Sequence, residues 1–430
     1  MTKRRIAAFV LVLTFLTYSC GRGGGEAGDV LPESRVPELL LTVPSDALAV
    51  VDMSGAEKVN SMLVDSSSVI SRLDLRDFRG HRAVLSYVYT GSPVPILALD
   101  AGKTARDTSR IVRSMMEQAE ELGIFCMYLP EGPRPGRRCA LILSPSESAL
   151  PSVDRHIGSC SSILDAPGFG HALHVTSGES DFIYIRNSGL DKLLPRTFMS
   201  RYLPRRQSAQ FLQSAADWTL LETADSPARM PVRFLSGDSG TYFANTLSGL
   251  DPGESRVCSI LPRDTEFVLD IPVGRNFRDR YENYLDARSA LDSYKAAMIG
   301  IKAAAGVHPA AWEKAERIQE VAVVQWNNRK VVLVRPAKTP DIPADVQPNP
   351  CAGFPAVLYG APFSLDNDMY RASFGKWIVT GSEPDVEAFI SSTQTFQEPR
   401  WPQKECRFVV YSPSLMLSWS KKGFILNVND

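Results

Sequence analysis

Two stretches of this chain open alike, and that repetition limits what it can fold into more than any other feature. Val43-Pro44-Ser45-Asp46 precedes Ala47-Leu48-Ala49-Val50-Val51-Asp52, and Leu261-Pro262-Arg263-Asp264 precedes Thr265-Glu266-Phe267-Val268-Leu269-Asp270. Each reads as a Pro-x-Asp turn, an apolar strand and an acidic end. Helical material follows both: residues 56–63 in the first, and residues 277–298 in the second, where Phe277, Tyr281, Tyr284, Leu291 and Met298 recur at helical spacing. A strand pair comes next, over 82–89 and 94–99 in the first stretch and 321–326 and 331–334 in the second. Each stretch then runs a strand into a capped helix, at Ser144-Pro145-Ser146-Glu147 and at Ser382-Glu383-Pro384-Asp385, where a serine oxygen accepts from free N–H groups and proline suits the first turn. The repeated order of landmarks predicts an internal duplication.

The copies are expected to differ in one helix. Residues 104–122 set Thr108, Ile111, Met115, Ala119 and Leu122 on one face with Gly123 as the stop, whereas the second copy has a proline-rich loop, 340–350, at that place. Between the copies, 218–222, 230–235 and 241–246 read as an antiparallel meander, and the turn over 248–253 marks the boundary. Strands joined by hairpins and by helices point to the α+β class: two related lobes, 41–250 and 251–430, of mixed or mainly antiparallel sheet with helices packed on one face. With 44% hydrophobic and 22% charged residues, the chain has the composition of a protein that buries a sizeable core.

The first twenty residues bear on location. A basic head, Lys3-Arg4-Arg5, precedes an apolar run from Ile6 to Leu16, which is too short to span a bilayer, and the segment ends at Ser19-Cys20. Thr17-Tyr18-Ser19-Cys20 resembles a bacterial lipoprotein signal in its last two residues, although Thr17 and Tyr18 replace the usual aliphatic and small ones. That resemblance implies a signal peptide over 1–19 and a lipidated Cys20; cleavage and secretion without lipid is the rival reading. More than one acyl chain is what makes membrane anchoring stable. The Gly-rich Gly21-Arg22-Gly23-Gly24-Gly25-Glu26-Ala27-Gly28 opens a flexible tether, 20–40. The overall pattern is similar to uncharacterised Gram-negative envelope lipoproteins whose domains open with a Pro-x-Asp turn before an aliphatic strand. It implies membrane anchoring in the cell envelope and duplicated α+β lobes, and carries no activity with it.

The 47 basic side chains, less Lys3, Arg4 and Arg5, face 48 acidic ones, so no strong field of either sign recruits nucleic acid, and Arg134, Arg137 and Arg138 read as a solvated loop. Six further cysteines, at 126, 139, 160, 258, 351 and 406, would sit where disulfides form. Cys126 lies in a strand-like run, 124–129, and Cys139 opens another, 139–144; paired as a hairpin these would set the two cysteines face to face, and buried free thiols are the alternative. No Cys-x-x-Cys supports a dithiol or a zinc ribbon.

Several fragments imitate catalytic motifs and lack a part the chemistry needs. Gly237-Asp238-Ser239-Gly240 resembles a protease nucleophile loop, yet His81, His156, His171, His174 and His308 all lack the flanking residues of a triad base. Gly102-Lys103-Thr104 has Leu97 where a phosphate loop needs its first glycine, so Thr104 with Asp107 reads as a helix cap. Ser373-Phe374-Gly375-Lys376 fits Ser-x-x-Lys on what reads as a strand, which puts the two side chains on opposite faces. His171 and His174, also read as strand residues, likewise diverge, and no metal or cofactor is expected. Asp52 and Asp270 are the most interesting acids, because pseudo-symmetric packing would bring them together as a carboxylate pair; the plainer reading is a helix cap or a solvated strand end. Phe277, Tyr281 and Tyr284 read as a packing stripe. The expectation is therefore a non-catalytic envelope lipoprotein that binds a protein or envelope polymer or supports an assembly, with a hydrolase of an envelope polymer as the alternative. A deep cleft holding Asp52, Asp270 or Ser239 beside a basic partner would favour the enzyme; a shallow apolar surface would favour the binding protein.

Overall fold

The computed structural model describes residues 37–63, 68–102, 105–133, 138–179, 181–193, 216–223, 229–235, 242, 246–247, 250–273, 276–413, 415–420 and 423–428. Cys20, the tether as far as residue 36, Lys103, Thr104, Arg134, Arg137 and the 237–240 loop lie outside them. So does most of the third meander strand expected over 241–246; Thr246 itself sits in a helical turn.

Both openings fold as expected. The Ala47 N–H donates to the Pro44 carbonyl at 3.1 Å and the Thr265 N–H to the Pro262 carbonyl at 3.2 Å, so each Pro-x-Asp closes a turn. From the first turn runs β1 (Ala49–Met53), and β2 (Ala83–Tyr89), β3 (Pro93–Gly102), β4 (Phe125–Leu129), β5 (Cys139–Ser144), β6 (Phe182–Arg186), β7 (Trp218–Glu222) and β8 (Arg229–Leu235) follow. Their spatial order is β4-β5-β3-β2-β1-β6-β7-β8, antiparallel throughout. From the second turn come β9 (Thr265–Pro272), β10 (Glu320–Trp326), β11 (Arg329–Arg335), β12 (Gln347–Pro348), β13 (Tyr370–Phe374), β14 (Trp377–Gly381), β15 (Val409–Ser412), β16 (Leu415–Ser420) and β17 (Gly423–Val428). These pair antiparallel as β12-β13-β14-β11-β10-β9-β15-β16-β17.

Laid beside each other, the two orders match strand for strand, with β9 in the place of β1, β13 in that of β4 and β17 in that of β8; β12 is an addition. The two strings join where β8 pairs with β17, from Phe424↔Val232 to Asn427↔Arg229, which makes one sheet of seventeen strands among the described residues. The chain is thus an α+β protein on an antiparallel sheet.

Helices cover both faces of this sheet, not one. Strands inside the sheet carry apolar side chains on both sides, as in β5, where all six residues are buried, so each face needs a cover. One face is continuous across both halves. There Val51, Leu85, Leu99, Leu269, Val323 and Val334 pack with helices α1 (Val59–Met62), α2 (Ala105–Glu121), α6 (Phe277–Ala287), α7 (Leu291–Ala305) and α9 (Phe354–Tyr359), while α8 (Pro309–Glu316) packs against α9. The opposite face divides in two: α3 (Leu150–Gly158) and α4 (Phe169–Val175) cover Val50, Val84 and Tyr184, and α10 (Glu383–Ser391) covers Val268, Val324 and Val379. A short α5 (Leu190–Leu193) follows β6.

Two helical expectations change. The stretch 277–298 is two helices, broken at Ser289, whose φ is 55°. The proline-rich segment is not bare loop, since it holds β12 and leads into α9. The aromatic stripe does pack: Tyr281 stacks on Phe277 at 5.8 Å and on Tyr284 at 6.0 Å, under Tyr359.

Phe424 is buried at the joint and meets Phe234 edge-on at 5.8 Å. Phe424→Ala should lower stability by about 3–5 kcal/mol and split urea unfolding into two transitions. A single transition with an unmoved midpoint would show that the joint does not couple the halves.

Candidate functional site

Asp52 and Asp270 occupy equivalent places on the central strands β1 and β9, and six strands lie between them, so the anticipated pair does not form. Each is buried and has its own compensation. Arg82 grips Asp52 through both oxygens, Nε to Oδ1 at 2.8 Å and Nη2 to Oδ2 at 2.5 Å. Burial lifts the Asp52 carboxyl and the guanidinium opposes that lift. Next to it, Asp181 takes Lys58 Nζ at 2.8 Å and the Ser54 backbone N–H and hydroxyl, each at 3.1 Å. Burial alone would raise Asp181, but these donors outweigh it and hold the carboxyl below its ordinary range.

The second half solves the same problem differently. By register, Glu320 stands where Arg82 stands in the first half, two residues before the strand partner of the aspartate. The cation comes from the neighbouring strand: Arg335 Nε donates to Glu320 at 2.7 Å, while the Arg256 and Val257 backbone N–H groups donate to its other oxygen at 2.7 and 2.9 Å. Asp270 is left with two buried oxygens that make no hydrogen bond of good geometry. Burial first, and the Glu320 charge second, push its carboxyl well above the ordinary range, which favours its neutral form.

Neither acid is reachable. Asp52, Asp270 and Glu320 are all fully buried. A polar cleft of about 1070 Å³ runs past Gly253 and Gln319 near Glu320, and one ion pair closes part of its wall. Arg278 bonds Glu313, whose carboxylate also accepts from the Tyr359 hydroxyl at 3.1 Å.

The remaining sequence candidates resolve as structure. His171 and His174 lie on helix α4, not on a strand; the segment lacks a β-branched run, and Phe169, Ala172 and Leu173 give it a helical buried face. Among the described residues no three His, Cys, Asp or Glu side chains converge as a metal would need. Ser373 is on β13 and Lys376 in the turn after it, with Gly375 at φ 60°. Arg138 is tied to Asp100 at 2.8 Å, so it belongs to the fold and not to a free basic patch. Cys126 and Cys139 do not face each other: Cys126 is opposite Leu143, Cys139 donates to the Pro130 carbonyl at 3.0 Å, and the six described cysteines are free thiols.

An open apolar groove of about 670 Å³ lies between α2 and β4, at one edge of the sheet. Its walls follow from local sequence. Met115 and Ala119 anchor α2 to the core, which leaves Met116, Glu117 and Glu120 on the outer side. Gly123, at φ 69°, ends the helix, and the Ile124 N–H reaches back to the Ala119 carbonyl at 2.8 Å, so the chain turns at once into β4. Phe125, Cys126 and Tyr128 form the facing wall, with Phe125 41% exposed and Met116 37%. Burial, then the nearby Glu120, raise the Cys126 thiol, so it lines the groove as a small neutral group. Sequence reasoning placed both elements but missed the groove, because nothing in the 124–129 run says that β4 is the last strand of the sheet.

Comparisons with protein-family models, with curated proteins and with solved structures find no match.

Asp270 supplies a pH test. The folded chain holds a proton there that the unfolded chain releases near pH 4, so this group favours folding below that pH and its contribution fades as pH rises through the raised value. Asp270→Asn should flatten that decline, with stability at neutral pH unchanged or higher. A variant that keeps the wild-type slope in urea melts from pH 4 to 8 would refute the protonated carboxyl.

Proposed function

We propose that the protein is a lipid-anchored binding protein of the Gram-negative cell envelope that works without catalysis and takes a macromolecular partner in the groove between α2 and β4. The observation that carries this reading is the groove itself. It is open, apolar and of ligand-pocket size, and it exposes large side chains that a soluble domain has reason to cover. The reading includes two lobes derived from a duplication, supported by the matched strand orders, and a signal peptide ahead of an acylated Cys20, supported by the basic head, short apolar run and Ser19-Cys20. Among the described residues no helix is long and apolar enough to cross a membrane, which agrees with an anchor of lipid as well as with none.

The hydrolase alternative rests on Asp270 and Glu320, two carboxyls close enough to perturb each other. Acid–base work on a polymer requires contact with it, and both acids are closed off by the packing around them.

Two measurements test the proposal. Cells fed labelled palmitate should yield a labelled, membrane-bound product, and Cys20→Ser should give an unlabelled one; label retained in Cys20→Ser would remove the anchor. The apolar dye bis-ANS should bind the folded full chain, and Met116→Asp should cut that binding by about half or more without changing the circular dichroism. Unchanged dye binding would move the binding face elsewhere.

A further inference from the structure

The polar cleft in the second half is lined by more charge than it neutralises. It lies at the end of β9, β10 and β11, where the Val273 N–H donates to the Gln319 carbonyl and the Gln319 N–H to the Arg335 carbonyl, each at 2.8 Å. Asp251 and Asp279 stand on one wall. The Asp251 N–H donates to Asn276 Oδ1 at 3.2 Å, which ties the 251–253 loop to the residue that opens α6, and Asp279 is in the first turn of that helix. Lys314 and Arg317 stand on the other wall, at the end of α8. The ion pair of Arg278 with Glu313 joins α6 to α8 and so fixes the spacing of the walls. Asp251, Asp279, Lys314 and Arg317 are all exposed, and among the described residues none of the four side chains makes a hydrogen bond or an ion pair. Two acids and two bases that share a cleft without pairing are too far apart to reach each other, and one molecule carrying both charges would satisfy both walls.

The walls are set before any ligand arrives. A Cβ on Gly253 would stand 2.7 Å from the Pro272 Cβ, so only glycine lets the loop lie this close to β9, and two hydrogen bonds between the Gly253 and Cys406 backbones, at 2.7 and 2.9 Å, hold it there. The buried Glu320–Arg335 pair reaches the cleft as well. Arg335 Nη1 donates to Gln319 Oε1 at 2.5 Å, which leaves the exposed Gln319 amide nitrogen as a donor. Arg317 sits at φ 51° and ψ 58°, a left-handed conformation that glycine adopts freely and arginine only at a cost. The signs of Asp279, Lys314 and Arg317 suit the ends of their helices, but that does not gather them, with Asp251 from a loop, around one cleft.

We propose that this cleft binds a short peptide with free ends, its carboxylate held by Lys314 and Arg317, its ammonium by Asp251 and Asp279, and a carbonyl between them by the Gln319 amide. The site is separate from the α2–β4 groove and goes beyond the function proposed above. Charge chooses the ligand class. A nucleotide or another polyanion would meet Asp251 and Asp279, a polyamine would meet Lys314 and Arg317, and a neutral sugar would leave all four charges unmatched. Size sets the length. At about 1070 Å³ the cleft is at the upper end of the range for ligand pockets, about 300–1,000 Å³, which gives room for several residues and not only for a single amino acid. Walls already in place spare the ligand the cost of ordering them.

The test titrates tetra-alanine into the full chain in detergent by isothermal calorimetry, with three comparisons: N-acetylated tetra-alanine, tetra-alanine amide, and glycerophosphoethanolamine, a zwitterionic lipid headgroup. Tetra-alanine should bind saturably, and blocking either end should weaken it about tenfold or more, because each block removes one set of charge-assisted contacts. Added salt should weaken it too. The double variant Lys314→Glu/Arg317→Glu should reverse the preference between tetra-alanine and its amide while its circular dichroism stays that of the wild type. Arg317→Gly should weaken binding severalfold yet leave the urea midpoint unchanged or higher, since glycine relieves the backbone there; a lower midpoint with unchanged binding would make Arg317 a structural residue and remove it from the site. Binding of bis-ANS at the α2–β4 groove should be the same in these variants. If tetra-alanine gives no saturable binding, or its blocked forms bind as tightly, the inference is wrong. If glycerophosphoethanolamine binds and tetra-alanine does not, the cleft takes a lipid headgroup and the peptide is overturned as its ligand.

Discussion

The short pairing between β8 and β17 decides that this chain is one sheet and not two. It spans four residue pairs, and one of them places Pro231, which has no N–H to give, opposite Ile425. What holds the joint is less its ladder than the apolar face beneath it, where Met230, Val232, Phe234, Leu417, Phe424 and Leu426 belong to the same packed layer as the helices of both halves. On the other face the layer is interrupted, and each half closes its own core. The joint therefore couples the halves through one side of the sheet. Because the last hairpin of one half meets the last hairpin of the other in antiparallel fashion, the contact resembles the self-complementary interface of a two-fold dimer, built within a single chain.

Inside each half the central strand buries an aspartate, and the neighbours of that aspartate show how differently two frameworks of matching strand order neutralise it. In the first half the next strand supplies Arg82, and Asp100, one strand further, is satisfied by Arg138. In the second half the two positions have exchanged charge: Glu320 takes the place of Arg82 and Arg335 that of Asp100. One guanidinium then faces two carboxyls. Arg335 and the backbone donors satisfy Glu320, and burial favours the neutral form of Asp270, since an unpaired carboxylate at full burial would cost several kcal/mol. The acids that sequence made conspicuous are thus keys to register and packing, and their conspicuousness came from being charged where everything around them is apolar.

Much of the fold was legible. The paired Pro-x-Asp turns, the opening strands, the hairpin of β2 with β3 and the serine-capped α10 follow from turn chemistry and alternation that act within a few residues. The elements that escaped are those whose identity is set from a distance. β6 and β15, which sit beside the central strands, are short apolar runs with no local punctuation of their own, and β12 is two residues long, a strand only because β13 is there to pair with. Helices on both faces were missed for a related reason: runs such as β5 read as strand, and that they are buried on both sides is decided by helices far along the chain. The groove was the least legible part. Met116, Phe125 and Cys126 look like ordinary core residues, and their exposure depends on β4 being terminal in an order that only the assembled sheet defines.

The joint also has a consequence for how such a molecule is made. β8 is complete long before its partner exists, because the whole of the second half must leave the ribosome, and any export channel, before β17 arrives. During that interval the first half presents a bare strand flanked by Trp218, Leu220 and Phe234. Any neighbouring chain that has already finished carries a β17 able to fill the vacancy in the same register. Crowded synthesis of this protein therefore favours hairpin exchange between molecules, giving reciprocally swapped pairs whose contacts are those of the correctly closed monomer.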